Sequence, residues 1–210
     1  TGSPLFCSSA GSDVYNGEIN NKFVVIKPRN YETEPVQRYT ITPNTDDGLP
    51  GFMFWPNVGT VKIKVVQWGD NSWKSLNYMF RGVCQADESL ALLSFSDPQS
   101  LPNLERATDM TYAFAFCDLI ESQAYWDVSN INKTTAAFAL AKGSVDLSQW
   151  DVSSVNNMEY MFYYAELFNH DISDWSVENV TNCEDFKKNA PLFMDEHTPN
   201  FQSCNQSPAP

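Results

Sequence analysis

An α/β solenoid preceded by a small β domain is the fold class this sequence predicts, and three observations carry it. Tryptophans at 126, 150 and 175 head similar blocks, so the repeat is 24 to 25 residues long. Within each unit an apolar stripe of helical spacing precedes a short alternating run. Upstream of about residue 66 the period is two. Boundaries follow: 1–66 as leader and small β domain, 67–190 as the repeats, and 191–210 as a C-terminal cap or tail.

Residues 1–22 are rich in Ser, Gly and Asn and read as a loop-like leader. Strands are expected over residues 23–27, 38–42, 51–55 and 61–65. The last is the clearest, with Val61, Ile63 and Val65 on one face and Lys62 and Lys64 on the other. Pro28, Pro35, Pro43, Pro50 and Pro56 lie between these runs, where turns belong.

In the repeats, Trp126-Asp-Val-Ser-Asn-Ile131 is echoed by Trp150-Asp-Val-Ser-Ser-Val155 and by Trp175-Ser-Val-Glu-Asn-Val180. Each is followed by a second block, as in Met158-Glu-Tyr-Met-Phe162, with earlier copies at Met110, Thr134 and Asn77 and a final one at Cys183. Met158, Met161, Phe162 and Ala165 stand at i, i+3, i+4 and i+7, which predicts a two-turn helix. Trp175 and Val177 alternate with Asp174 and Ser176, which predicts an extended segment. Such a unit cannot close a core alone, so neighbours must stack and equivalent residues must form columns. The columns are Trp126/Trp150/Trp175, Val128/Val152/Val177, Phe114/Phe138/Phe162 and the small Cys117/Ala141/Ala165. The final copy runs into Lys187 and Lys188, where the apolar pattern decays as in a capping repeat. A stack of this kind is leucine-rich-repeat-like.

Residues 66–80 (Val-Gln-Trp-Gly-Asp-Asn-Ser-Trp-Lys-Ser-Leu-Asn-Tyr-Met-Phe) and the later Trp-Asp-Val-Ser-x-Val-x-x-Met blocks resemble the BspA-like leucine-rich-repeat surface proteins, whose unit is also called the mycoplasma lipoprotein repeat. The resemblance covers about residues 65–190, with Thr134 and Cys183 standing where the usual repeat has Met. It implies a secreted or surface-anchored, non-enzymatic module of cell adhesion and protein binding. It transfers no catalytic residues.

Thirteen basic against 26 acidic residues leave a net charge of −13, which disfavours nucleic acid and anionic lipid as partners. No apolar run approaches the length of a membrane span, so membrane insertion is not expected. The chain opens on Thr1, read as a trimmed export product or an excised piece. Cysteines stand at 7, 84, 117, 183 and 204 without a Cys-x-x-Cys pair, so zinc is not expected. A Cys183–Cys204 disulfide bond would pin the C-terminus. Cys84 and Cys117 are read either as a second bridge or as buried thiols, against the alternative that all five are free.

No catalytic constellation is present in the sequence: His170 and His197 lie in polar triplets, with no nucleophile elbow to accompany them. No cofactor is expected; calcium on Asp146, Asp151, Asp171 and Asp174 is the one candidate ion, and a solvated acidic face is favoured over it. Glycosylation triplets occur at Asn132, Asn179 and Asn205, two of them by repeat register. The tryptophan column shares a face with valines and is expected in the core. The candidate binding residues are Tyr78, Tyr112, Phe116, Tyr160 and Tyr164, aromatics off the apolar stripe, bordered by acids such as Glu159. The expected partner is a protein or glycan on the surface of another cell. The main reading is an extracellular, cell-surface adhesion module; the alternatives are a carbohydrate-binding module and a structural or tip component of a pilus or fibre.

Overall fold

A computed structural model describes residues 6–9, 24–26, 39–42, 52–54, 63–65, 68, 72–81, 93–95, 101–117, 121–202 and 204. Five short strands precede the first rung and a sixth follows it: β1 (Phe6–Ser9), β2 (Val24–Ile26), β3 (Tyr39–Thr42), β4 (Phe52–Phe54), β5 (Ile63–Val65) and β6 (Leu93–Phe95). They pair two by two: β1 antiparallel to β3, β2 parallel to β4, and β5 parallel to β6. Four of them fall within the period-two runs. β1 lies in the leader read as loop, and β6 in the insertion before the second repeat. Cys84, the Asn205 triplet and the rest of the leader lie outside the described residues.

The repeats stack in parallel. Isolated bridges link Asp109 to Lys133, Lys133 to Asn157 and Asn157 to Asn182, so the same position of four successive units sits side by side. Neither half of the expected helix–strand unit takes that form, however. Residues 110–117, 134–141 and 158–165 are runs of tight turns, and no α-helix occurs among the described residues. The hydrogen bonds show why. The amides of Met110, Tyr112, Phe114 and Phe116 donate to the carbonyls of Lys133, Thr135, Ala137 and Ala139 in the next unit, at 2.8, 2.9, 2.9 and 2.8 Å. The intervening amides of Ala113, Ala115 and Cys117 close turns onto Met110, Tyr112 and Phe114, three residues back. A helix would aim all of them four residues back.

Alternation of the two directions requires a left-handed residue at every fourth position. Those residues are Tyr78, Tyr112 and Phe116, Ala136 and Leu140, Tyr160 and Tyr164, and Asp185 and Asn189, with φ between 51° and 64°. For residues carrying a Cβ this conformation costs roughly 1–2 kcal/mol each. The inter-unit hydrogen bonds, about 1 kcal/mol apiece, offset it. The rung still buries residues at i, i+3, i+4 and i+7, here Met110, Ala113, Phe114 and Cys117, because a four-residue turn repeat imitates the helical stripe over this length.

Four of the five rungs also start with a polar cap. Asp109, Asn157 and Asn182 accept the amide two residues on through Oδ1 (2.8, 2.9 and 3.2 Å), and Ser75 does so through Oγ at 3.1 Å. Lys133 has no such oxygen; there Thr135 Oγ1 reaches across to Asn157 Oδ1 at 3.0 Å. Thr134, the departure from Met, is buried and donates to the Asn157 carbonyl at 3.2 Å.

The segment expected to be extended is likewise a pair of turns, Trp175 closing onto Ile172 and Val180 onto Val177. Trp175 and Val177 are nonetheless buried, with Asp174 and Ser176 exposed. The core is a set of columns. Phe80, Phe114, Phe138 and Phe162 stack face to face at 5.7, 5.5 and 5.5 Å between centroids. The tryptophans lie beside them, and their indoles bind the preceding unit: Trp150 Nε1 donates to the Gln123 carbonyl (2.9 Å) and Trp175 Nε1 to Leu147 (3.0 Å). The tryptophan column is therefore core.

The stack is closed at its C-terminal end. Lys187 occupies the phenylalanine column and sends Nζ to the Phe193 carbonyl (2.8 Å) and to Asp195 (2.6 Å). Phe193 packs edge-on against Phe162 at 5.5 Å, and Phe201 against Phe186 at 5.0 Å. A disulfide joins Cys183 to Cys204 and ties this segment to the last rung. The Cys117 thiol is buried and donates to the Phe80 carbonyl at 2.8 Å.

Candidate binding surface

Opposite the phenylalanine column, each rung presents its left-handed positions. Tyr78, Tyr112, Ala136, Tyr160 and Asp185 form one row, and Phe116, Leu140, Tyr164 and Asn189 a second. The five aromatics singled out from the sequence are thus on one face. They reach it through left-handed backbone, not through the off-stripe side of a helix. A left-handed residue turns its side chain away from the core that its neighbours at i+1 and i+2 enter.

The aromatics gather in two groups. Tyr78 stacks on Tyr112 at 5.0 Å. Arg81, which the sequence reading passed over, lays its guanidinium over Tyr78, Tyr112 and Phe116 at 5.3, 5.1 and 5.8 Å. At the other end Tyr160 meets Tyr163 edge-on at 5.4 Å, and Tyr163 meets Tyr164 at 4.6 Å. Tyr163 was also missed. Ala115, Ala136 and Ala139 lie buried between the groups, with Tyr112, Phe116, Tyr160 and Tyr163 packed against them. The result is a shallow notch with an aromatic bank on either side. Tyr164 at 39% and Leu140 at 38% are exposed, while Tyr78, Tyr112, Phe116 and Tyr160 are half-buried.

The strip is electrostatically uneven. Arg81 marks one end. At the other, Glu184 above all, then desolvation and the Glu159 and Asp185 carboxylates, raise the Tyr160 hydroxyl above its ordinary range. Lys188 is held there by Asp185 at 2.7 Å, which keeps its ammonium above the usual lysine range.

Three of the four acids considered for calcium have another occupation, and the fourth, Asp174, is exposed. Asp146, Asp151 and Asp171 accept the amides of Ser148, Ser153 and Ser173 at 2.9, 3.0 and 3.0 Å. Serine hydroxyl and amide together hold the three carboxyls below the usual carboxylate range, the hydroxyl foremost at Asp151 and Asp171 and the amide foremost at Asp146. Asp127 does the same for Ser129, whereas in the third block Ser176 donates to Glu178, acid and hydroxyl having changed places. The Asp-x-Ser run is therefore a turn former. Among the described residues no three His, Cys, Asp or Glu side chains are grouped to hold a metal ion. His170 and His197 are half-buried, His170 beside Phe168. Of the glycosylation triplets, Asn132 is followed by the buried Thr134, while Asn179 is exposed and donates to the Ser153 carbonyl. No helix of the described residues is long and apolar enough to cross a membrane.

Stacked parallel rungs with one aromatic outer face and a disulfide-tied end define a repeat protein. The chain belongs to the family described as Mycoplasma protein of unknown function, DUF285, whose match spans residues 74–201 and so takes in every rung and the closing segment. No curated protein and no solved structure matches the chain.

Proposed function

We propose that this is a non-catalytic, extracellular adhesion module, leucine-rich-repeat-like in the BspA manner, that grips a surface ligand through the aromatic strip. One observation carries the reading: in three of the five rungs, tyrosines and a phenylalanine occupy left-handed backbone positions that turn them away from the core, where glycine or asparagine would cost less. Large rigid aromatics held this way bury area on a partner with little loss of side-chain entropy. Export is supported by the Cys183–Cys204 bridge, a bond that persists in oxidising compartments. A carbohydrate ligand is the second reading, favoured by the Arg81 guanidinium seated on three aromatic rings beside tyrosine hydroxyls.

Binding of the fluorescently labelled protein to intact cells, read by flow cytometry, tests the strip. Tyr112→Ala/Tyr160→Ala and the more exposed Tyr164→Ala are each expected to weaken binding at least tenfold while the near-ultraviolet spectrum of the tryptophan column persists. Unchanged binding by both folded variants overturns the assignment of the strip. A glycan array separates the two readings, since sugar binding lost in the same variants favours the carbohydrate ligand.

A further inference from the structure

Arg81 heads the row Arg81, Ala115, Ala139, Tyr163 and Lys188 down the stack. The next two members of that row are buried alanines, so the guanidinium reaches across to the second rung. It lies among the rings of Tyr78, Tyr112 and Phe116, at 5.3, 5.1 and 5.8 Å from their centroids. Tyr78 and Tyr112 stack on each other, and Tyr112 and Phe116 pack on the alanine cluster, so the platform beneath the charge is fixed. Rings hold a guanidinium through its face and leave its N–H groups, which lie in its plane, free for an acceptor. Arg81 is exposed and no carboxylate of the described residues pairs with it, although acids outnumber bases 26 to 13. Lys187 and Lys188, by contrast, are tied by Asp195 and Asp185. A planar fork already held in place loses little freedom when it meets an anion.

We infer that Arg81 receives the carboxylate of a glycan whose terminal sugar carries that one acid group. The inference rests on the strip being a binding surface and takes its carbohydrate reading further. A carboxylate offers the two parallel oxygens that the guanidinium fork matches. The sugar behind it meets the rings of Tyr78, Tyr112 and Phe116, and the tyrosines supply hydroxyls to bond its own. A peptide carboxylate fits this face less well. The backbone amides of Tyr78, Arg81, Tyr112, Ala115 and Phe116 are all bonded within the stack, to the next rung or in turns, so an extended chain finds no backbone donor there. What the face offers is side-chain rings, hydroxyls and one cation, which suffice for a saccharide. Charge sets the number of acid groups at one. Glu159 and Glu184 lie three and four rungs from the rung of Arg81, about 14 and 19 Å at about 4.8 Å per rung. That is beyond the Debye length of about 8 Å at physiological salt, so they leave a carboxylate at Arg81 undisturbed. Further carboxylates along the strip would fall against them, and the net charge of −13 opposes a polyanion throughout.

An array of neutral oligosaccharides, each printed beside a counterpart that ends in a uronic or sialic acid, tests this with the labelled chain at physiological ionic strength. The wild type is expected to bind acid-terminated members at least tenfold above their neutral parents. Arg81→Gln, at an exposed position, is expected to lose that preference. Lys133→Gln removes an equal charge from another exposed position two rungs away and is expected to keep it. Equal binding of acidic and neutral members, no binding of acid-terminated ones, a preference that survives Arg81→Gln, or the same loss in Lys133→Gln overturns the inference. So does stronger capture by an Asp- and Glu-bearing peptide printed on the same slide. If acid-terminated glycans fail to bind while the tyrosine variants still lose cell binding, the strip remains a binding surface and its ligand is of another class. If cell binding is also unchanged, both readings fall.

Discussion

Phe138→Ala is expected to destabilise the protein by about 3–5 kcal/mol, the range for emptying a fully buried phenylalanine site. The ring is completely buried, with Phe114 stacked on one face and Phe162 on the other, each at 5.5 Å, and Trp150 at 5.6 Å. Both neighbouring rings are held by backbone bonds to the rung of Phe138, so neither can move in to fill the gap. Phe138→Leu keeps most of the volume and should cost less, about 1.5 kcal/mol. Urea unfolding followed by tryptophan fluorescence gives the comparison as a fall in midpoint. A loss below about 1 kcal/mol for the alanine variant would show that the column does not stack in solution.

Removing the Cys183–Cys204 bridge has the next largest effect. Its cysteines are 21 residues apart, and a closed loop of that length stabilises by about 3 kcal/mol through the unfolded chain. The Cys183→Ala/Cys204→Ala variant, or the wild-type chain in reductant, is expected to show a lowered melting temperature. The loss should centre on the closing segment, where Phe193 and Phe201 cover the last rung. An unchanged melting temperature in reductant would mean that the bridge does not form.

The sequence made the columns legible because a stack must place like on like: the phenylalanine and tryptophan rows follow from the 24-residue spacing alone. It did not make the backbone legible. Core positions at i, i+3, i+4 and i+7 belong equally to a short helix and to a rung with a left-handed residue at every fourth place, and periodicity cannot separate them. Composition usually does so, since left-handed positions favour glycine or asparagine. Here tyrosine, phenylalanine, leucine and alanine fill them, and only Asp185 and Asn189 in the last rung carry the expected chemistry. The capping row Ser75, Asp109, Asn157 and Asn182 was the available signal for a turn.

Of the candidate site, the five aromatics were legible because all depart from the core stripe in the same register. Arg81 was not, because its row reads Arg, Ala, Ala, Tyr and Lys down the stack and shows no repeated character. Its meaning comes from reach: a long side chain from the first rung lies across rings of the first and second. Tyr163 shares that row and was hidden for the same reason. Asp146, Asp151 and Asp171 looked like oxygen ligands because sequence shows a carboxylate without showing the amide two residues on from which it accepts.

The left-handed rung underlies both the core and the outward strip, and nuclear magnetic resonance of the labelled protein tests it most directly. Carbon shifts of Tyr112, Phe116, Tyr160 and Tyr164 are expected to report positive φ. Cross-peaks from the amides of Met110, Tyr112 and Phe114 should lead to the Hα protons of residues 133–137 in the next rung. A continuous run of sequential amide contacts through residues 110–117 with helical carbon shifts would contradict the account.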